Sequence, residues 1–233
     1  MSDDLSTFLA KRSASAERPL AGLTVLVVED SRFACEALRL MCLRSGARIR
    51  RADCLRAARR HLQTYHPNVV IVDLGLPDGS GDELIAQIKA TAAAPAVFGI
   101  SGDAKGAVLA MAAGADGFLE KPIESLALFQ NTILAGLPDH ARHAGPRRID
   151  EMPLIPDPLA LQDDLSQMAQ ALREPPEAAR LGYVAQFLTG VARVAHDVAL
   201  ADAATALDRT PSPATVARLS GLVNARLAAR AML

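Results

Sequence analysis

The sequence predicts an α/β fold, a doubly wound five-stranded parallel sheet with helices on both faces, followed by a smaller all-α domain. Short apolar runs rich in β-branched residues recur between residues 23 and 119, and segments of helical periodicity separate them. These runs are apolar at consecutive positions, which is typical of strands buried on both faces of a parallel sheet. From residue 158 onward only helical patterns recur, which predicts a second unit without strands.

The amino-acid composition disfavours several functional classes for this protein. The chain has 233 residues, half of them hydrophobic, which is enough for one ordinary domain and a smaller one. A net charge of −1 and the absence of tryptophan do not favour nucleic acid as a partner. Three cysteines without a CxxC pair favour reduced thiols over a disulfide framework or a zinc site. The sequence shows no signal peptide and no apolar run of membrane-spanning length, which predicts a cytoplasmic protein with no membrane partner.

The first elements follow a leader, residues 1–19, in which residues 3–16 are compatible with a short helix. Residues 23–28 predict the first strand, which ends at the acidic pair Glu29-Asp30. A helical pattern follows through about Arg44. A short second strand at residues 47–51 and a helix from Asp53 toward Tyr65 come next, with Asp53 as a candidate N-cap.

The central strand is predicted at residues 69–72, a run of valine and isoleucine that ends at Asp73. The Leu-Pro-Asp-Gly-Ser-Gly that follows has the composition of a loop. A carboxylate at the carboxyl end of a central parallel strand opens into the crevice where open α/β sheets bind ligands. We therefore expect Asp73 to be presented to a ligand rather than buried.

The same alternation completes the sheet. After a helix over residues 82–92, residues 95–100 predict a fourth strand that ends at Ser101. A helix over residues 103–113 precedes a brief fifth strand at residues 117–119. Glu120-Lys121-Pro122 then leads into a last helix through about Leu137. Strands and helices at this spacing indicate a parallel sheet covered on both faces.

Polar residues follow four of the predicted strands. Right-handed crossovers place all carboxyl ends of parallel strands at one edge of the sheet, so these residues are expected to converge there. Three carboxylates would repel one another, and a hard divalent cation such as Mg²⁺ relieves that repulsion through oxygen ligands. A metal, a carboxylate nucleophile and a lysine are what phosphoryl transfer to an aspartate requires. The converging residues are Glu29, Asp30, Asp73, Ser101 and Lys121.

These residues, in this order, resemble the receiver domain of two-component response regulators. The resemblance covers residues 20–137 and rests on four features: the acidic pair after the first strand, Asp73 after the third, the hydroxyl of Ser101 after the fourth, and Lys121-Pro122 after the fifth. It implies a flavodoxin-like sheet, a histidine kinase or phosphotransfer protein as partner, and Mg²⁺ as cofactor. It also implies a phosphoacceptor with limited autophosphorylation and autodephosphorylation chemistry rather than an enzyme.

The resemblance also assigns roles to individual residues. It makes Asp73 the phosphoacceptor, and it implies a metal site formed by Glu29, Asp30, Asp73 and the backbone carbonyl of Gly75. Lys121 and Ser101 would hold the phosphoryl oxygens. Phe118 stands at the position of the family's aromatic switch residue, which responds to Ser101; plain core packing of Phe118 explains an aromatic at this position equally well. Lys121-Pro122 matches a peptide bond that is typically cis in this family.

The rest of the chain divides into a linker, residues 138–157, and a helical domain, residues 158–233. Proline and glycine in the linker predict a semi-extended segment. Helices are predicted at residues 159–173, 177–207 and 213–231. The middle helix carries an apolar seam that suits a helical hairpin or a dimeric four-helix bundle, so a homodimer through these helices is one expectation. The seam consists of Leu181, Val184, Leu188, Val191, Ala195 and Val198.

Three functions for this chain remain open from the sequence. The first is a phosphorylation-controlled module whose helical domain acts through protein contacts. The second is a DNA-binding transcription regulator, which the balance of seven arginines against nine acidic residues from Glu151 onward does not favour. The third uses His196, predicted at the solvent edge of the middle helix, as a phosphotransfer residue. A plain surface histidine accounts for His196 as well.

Overall fold

The computed structural model describes residues 14–123, 125–138, 148, 155–173 and 178–230. The predicted leader helix, residues 3–16, lies almost entirely outside the described residues, and so does most of the predicted linker. Two regions account for the regular structure: the α/β region, Thr24–Gly136, and the helical region, Pro158–Arg230.

The α/β region contains five parallel strands, which are β1 Thr24–Val28, β2 Arg48–Ala52, β3 Val69–Asp73, β4 Ala96–Ser101 and β5 Gly117–Glu120. They form one sheet in the order β2-β1-β3-β4-β5. This order is the flavodoxin-like doubly wound arrangement, and it confirms the predicted fold class. Val69 to Asp73 form the central strand, with β1 on one side and β4 on the other.

Helices connect the strands on both faces of the sheet. Ser31 and Ser125 cap the first and the last of these helices, because their hydroxyl oxygens accept the backbone N–H groups of Ala34 and Leu128. The fourth helix begins at Gly106 instead of residue 103, since Asp103 takes part in a turn closed by the Gly106 N–H. A two-residue hairpin, Gly75–Leu76 with Gly79–Ser80, follows β3. The helices are α1 Arg32–Arg44, α2 Leu55–Thr64, α3 Gly81–Lys89, α4 Gly106–Ala112 and α5 Leu126–Gly136.

The core of the α/β region lies in two layers, one on each face of the sheet. Val25 and Val27 of β1 pack with Phe129 on one face, whereas Leu26 and Val28 pack on the other face. This split follows from the alternation of side chains along a strand. Both layers are apolar, so the polar residues that follow the strands are held at the edge of the sheet by a rigid scaffold.

The helical region contains four helices, not the three that the sequence predicted. They are α6 Pro158–Arg173, α7 Ala178–Val194, α8 Val198–Arg209 and α9 Pro213–Arg230. The predicted helix over residues 177–207 breaks at Ala195–Asp197, because Asp197 caps α8 by accepting the N–H of Leu200. Within the described residues, no helix is both long enough and apolar enough to cross a membrane.

The predicted seam of α7 is buried inside the chain. Val184, Leu188 and Val191 are almost fully buried in a core that α6, α8 and α9 complete. Val198, the last residue of the predicted seam, is 71% exposed at the start of α8. The seam therefore holds the four helices of one chain together, and a homodimer through it stays a prediction.

Candidate functional site

The polar residues predicted to converge do meet at the carboxyl edge of the sheet. Glu29 and Asp30 directly follow β1, Asp73 and Ser101 end β3 and β4, and Lys121 directly follows β5. All five side chains line one cavity of about 470 Å³. Their convergence follows from the parallel topology, since each strand delivers its carboxyl end to the same edge.

Three carboxylates form the acidic part of this cavity. Glu29, Asp30 and Asp73 each offer an oxygen, and these oxygens all lie within 4.8 Å of one another. Glu29 is buried, and its Oε1 also accepts the N–H of Ser31 at 3.2 Å. Clustered carboxylate oxygens are the ligands that hard divalent cations prefer, so this donor set fits such an ion.

Lys121 is the basic group of the pocket. Its Nζ lies 2.6 Å from Oε2 of Glu29 and donates to Oδ2 of Asp73 at 3.0 Å. Burial opposes the charged form of Lys121, but the negative charges of Asp73 and Glu29 outweigh burial and raise the pKa of the ammonium. Lys121 is therefore a permanent cation beside Asp73, at a peptide bond with Pro122 that is cis.

The acidic side chains are short of positive charge. Burial, with the charges of Asp73 and Asp30, raises the pKa of Glu29 to about 8, although Lys121 acts in the opposite direction. Burial also raises the pKa of Asp30 to about 6, and the negative charge of Asp73 adds to this shift. One ammonium therefore does not compensate three crowded carboxylates, and a further cation would stabilise their ionised forms.

Asp73 is more buried than the sequence suggested. We expected a presented side chain, but the residue is 7% exposed, because helix α7 lies over the crevice. Gly75, two residues further, begins the small hairpin, and its N–H lies 3.4 Å from Oδ1 of Asp73. Asp73 still faces the cavity and is covered from the side of the helical region.

Ser101 and Phe118 lie next to each other behind the pocket. The Ser101 hydroxyl accepts the N–H of Asp103 at 3.1 Å and lines the cavity. The Phe118 ring packs against Gly106, where an added Cβ would come within 3.0 Å of Cζ of Phe118 and within 2.8 Å of Cβ of Ser101. A bulkier residue at position 106 would therefore displace the ring or the serine.

The helical region brings further residues to this edge that were not predicted from the sequence. Tyr183 of α7 donates its hydroxyl to Oδ2 of Asp30 at 2.5 Å, and Arg193 donates to the carbonyl oxygen of Gly102. Asp164 of α6 is buried and binds the first turn of α1. Asp164 was recognisable from the sequence, because it lies in an apolar helical stripe with Leu161, Leu165 and Met168. A carboxylate in such a stripe needs a hydrogen-bond partner.

The predicted position of His196 is wrong. His196 does not lie on a helix but in the turn between α7 and α8, where it is exposed and has a positive φ of 55°. Asp197, its neighbour, is engaged in capping α8. The arrangement of an imidazole on a helix face, on which the phosphotransfer hypothesis depended, is therefore absent at this position.

Comparison with known families identifies the α/β region. The family described as the response regulator receiver domain matches residues 25–132. Residues 25–132 are a response regulator receiver domain. The predicted resemblance is thereby confirmed for this part of the chain, and the helical region lies beyond the match.

Curated relatives of the receiver domain include transcriptional regulatory proteins. The KDP operon transcriptional regulatory protein KdpE of Escherichia coli is 35% identical over 99 residues, which cover 42% of this chain and 44% of KdpE. The virulence transcriptional regulatory protein PhoP of Salmonella typhimurium is 31% identical over 102 residues, 43% of this chain and 46% of PhoP. The chain thus spans less than half the length of these relatives. Their names do not support the expectation that nucleic acid is an unlikely partner.

Solved structures similar to the receiver domain include two from bacteria. A CheY-like response regulator receiver domain from Methylobacillus flagellatus has a TM-score of 0.45 and 26% identity, covering 49% of this chain and 98% of its own. A two-component response regulator from Clostridium difficile has a TM-score of 0.45 and 18% identity, covering 49% of this chain and 94% of its own. Each covers about half of the present chain.

Proposed function

We propose that this chain is a two-component response regulator in which Asp73 accepts a phosphoryl group from a histidine kinase or phosphotransfer protein. One observation supports this most: the Asp73 carboxylate lies at the end of the central strand, beside the Lys121 ammonium and within 4.8 Å of oxygens of two further acids. A carboxylate flanked by a fixed cation and a metal-binding donor set is suited to attack on phosphorus.

Glu29, Asp30, Asp73 and the backbone carbonyl of Gly75 would hold Mg²⁺. When bound, Mg²⁺ neutralises negative charge on the transferred phosphoryl group and on the acids around it. An Asp73 oxygen forms the bond to phosphorus while the bond to the donor's nitrogen breaks, and the donor keeps that electron pair and takes up a proton. Lys121 and Ser101 donate to the phosphoryl oxygens. The same residues support a limited autophosphorylation and hydrolysis.

The proposed switch uses the pair Ser101 and Phe118. A phosphoryl group on Asp73 adds nearly two negative charges and three acceptor oxygens. Ser101 moves toward these oxygens and donates a hydrogen bond from its hydroxyl group. The Phe118 ring then moves into the vacated space. Because the ring already packs against Gly106 at the start of α4, its movement alters the surface of α4 and β5.

The test is phosphate incorporation from phosphoramidate, a small phosphodonor, in the presence of Mg²⁺. Intact mass of the full chain is expected to show one phosphoryl group, absent from Asp73→Asn. Asp103→Asn is the matched control, since Asp103 is an exposed aspartate at the same cavity and is expected to leave incorporation unchanged. Incorporation into Asp73→Asn, or none into the parent chain, would contradict the proposal.

A second candidate function is sequence-specific DNA binding by the helical region. The names of the curated relatives, which are transcriptional regulatory proteins, favour it. The acidic balance of residues 151–233 opposes it. Retarded migration of a DNA fragment by the phosphorylated chain, with affinity that falls as salt rises, would establish this function. Migration unchanged by phosphorylated protein at low salt would exclude it for that fragment and favour output through protein contacts.

A further inference from the structure

The helical region is fastened to the receiver domain at the first turn of α1. Asp164 of α6 accepts three hydrogen bonds, from the Ser31 hydroxyl at 2.7 Å, the Arg32 N–H at 3.0 Å and the Phe33 N–H at 3.0 Å. Asp164 is fully buried there. The N-terminus of a helix favours a carboxylate through its free N–H groups and its dipole, so this contact is strong.

Apolar packing accompanies this attachment. The Phe33 side chain belongs to α1 of the receiver domain but is buried in the core of the helical region, in the same cluster as Leu165 and Leu188. Separation of the two regions would expose this ring together with the buried Asp164. The attachment is therefore a built contact with its own small core.

The helical region also contacts the phosphorylation pocket, on both sides of Asp73. Tyr183 donates to Asp30 at 2.5 Å on one side of Asp73, and Arg193 donates to the Gly102 carbonyl beside Ser101 on the other. Between these contacts, Gln186 and Thr189 line the cavity that holds Asp73. Helix α7 therefore lies over the entrance to the pocket.

We propose that the helical region is an intramolecular cap on the phosphorylation pocket, and that this cap and a divalent cation at Asp30 oppose each other. The proposal rests on the proposed function, because it takes Asp30 as a metal ligand. Mg²⁺ retains several waters around it and needs room beside each carboxylate that it binds. The Tyr183 hydroxyl occupies that room on Asp30.

Thermodynamic linkage makes the competition between cation binding and docking of the cap reciprocal. If cation binding breaks the bond between Tyr183 and Asp30, the cap loses that contribution to docking, and the docked cap weakens cation binding by the same factor. A phosphoryl group on Asp73 adds charge and volume inside the same cavity and acts in the same direction. The cavity admits a small phosphodonor, whereas a protein donor must displace α7 to reach Asp73.

Cation affinity tests the role of Tyr183. Tyr183→Phe keeps the ring but removes the hydroxyl, and Tyr65→Phe is the matched control at the only other tyrosine, in the distant segment after α2. Because a hydrogen bond to a charged group is worth about a tenfold change in a binding constant or more, the Kd for Mg²⁺ is expected to fall about tenfold in Tyr183→Phe. Calorimetric titration of the full chain measures it. An unchanged or higher Kd in Tyr183→Phe overturns the proposal.

Hydrogen exchange tests whether the cap is displaced. Asp164 protects the N–H groups of Arg32 and Phe33, so saturating Mg²⁺ with phosphoramidate is expected to speed exchange of these amides at least about tenfold. The amides of β3, in the centre of the sheet, serve as the internal control and are expected to keep their protection. Unchanged protection of Arg32 and Phe33 at saturation overturns displacement of the cap.

These measurements distinguish failure of the cap from failure of the proposed function. If the chain binds Mg²⁺ and phosphorylates Asp73, but Tyr183→Phe binds the cation no more tightly, the cap proposal alone is wrong. If neither parent nor variant binds Mg²⁺ and Asp73 takes up no phosphate, the proposed function and the cap proposal both fall.

Discussion

Two buried acidic sites lie next to each other in this molecule and satisfy their charges in opposite ways. At the contact between α6 and α1, Asp164 receives three hydrogen bonds, which oppose the rise that burial causes in its pKa. In the pocket at the edge of the sheet, three carboxylates face the one ammonium of Lys121. Asp164 has three donors for one carboxylate, whereas in the pocket one ammonium faces three carboxylates. This ratio of donors to carboxylates distinguishes the candidate metal site from the contact that attaches the helical region to the receiver domain.

The largest effect is expected for Lys121→Met, which removes the cation of the pocket and keeps most of the side-chain length. Asp73 would then be a buried carboxylate without its partner, and breaking a buried ion pair in this way costs roughly 3–5 kcal/mol. Urea unfolding measures the loss. Lys89→Met is the control, because the Lys89–Asp116 pair is partly exposed and is expected to change stability by less than about 1 kcal/mol. Equal losses in both variants would remove the distinction between the pocket and an ordinary surface pair.

The next largest effect is a change in the free energy of unfolding with pH, on the order of a few kcal/mol. Glu29 is expected to be its main source. Burial raises the pKa of Glu29 from 4.5 to about 8, so between these values the folded chain retains a proton that the unfolded chain has lost. The free energy of unfolding therefore falls as pH rises through this window. Glu29→Gln is expected to flatten the slope, whereas exposed Glu120→Gln leaves it unchanged. A slope that persists in Glu29→Gln would contradict this origin.

The two sites also differ in how far the sequence could predict them. Glu29, Asp30, Asp73, Ser101 and Lys121 were predictable, because each follows a strand and a parallel sheet brings strand ends together. Tyr183 and Arg193 were not, since their partners Asp30 and Gly102 belong to another region and meet them only after docking. The covering of Asp73 was missed for the same reason. The position of a residue at the end of a strand can be read from the local sequence, whereas a contact between two regions cannot.

A smaller effect, about 2 kcal/mol, is expected for Asp164→Ala. The variant leaves the N–H groups of Arg32 and Phe33 without their acceptor at a buried position. Asp163→Ala is the matched control one residue away, because the Asp163–Arg32 pair is exposed and is expected to contribute less than about 1 kcal/mol. Urea unfolding of both variants gives the comparison. If the two variants lose the same stability, Asp164 does not fasten the regions.

The smallest effect concerns the break between α7 and α8, where the sequence suggested one continuous helix. Asp197 caps α8 and also accepts two hydrogen bonds from Arg226 of α9, at 2.8 and 3.1 Å, and these bonds from Arg226 hold the pKa of Asp197 below its usual value. Asp197→Asn keeps a capping oxygen and loses the charge, so a loss of about 1 kcal/mol is expected at neutral pH. The loss should vanish in acid, where the parent carboxyl is protonated as well. Asp202→Asn, at an exposed position of α8, is the control for helix propensity. A loss that is the same in acid and at neutral pH would mean that the charge of Asp197 does not stabilise the turn that carries His196.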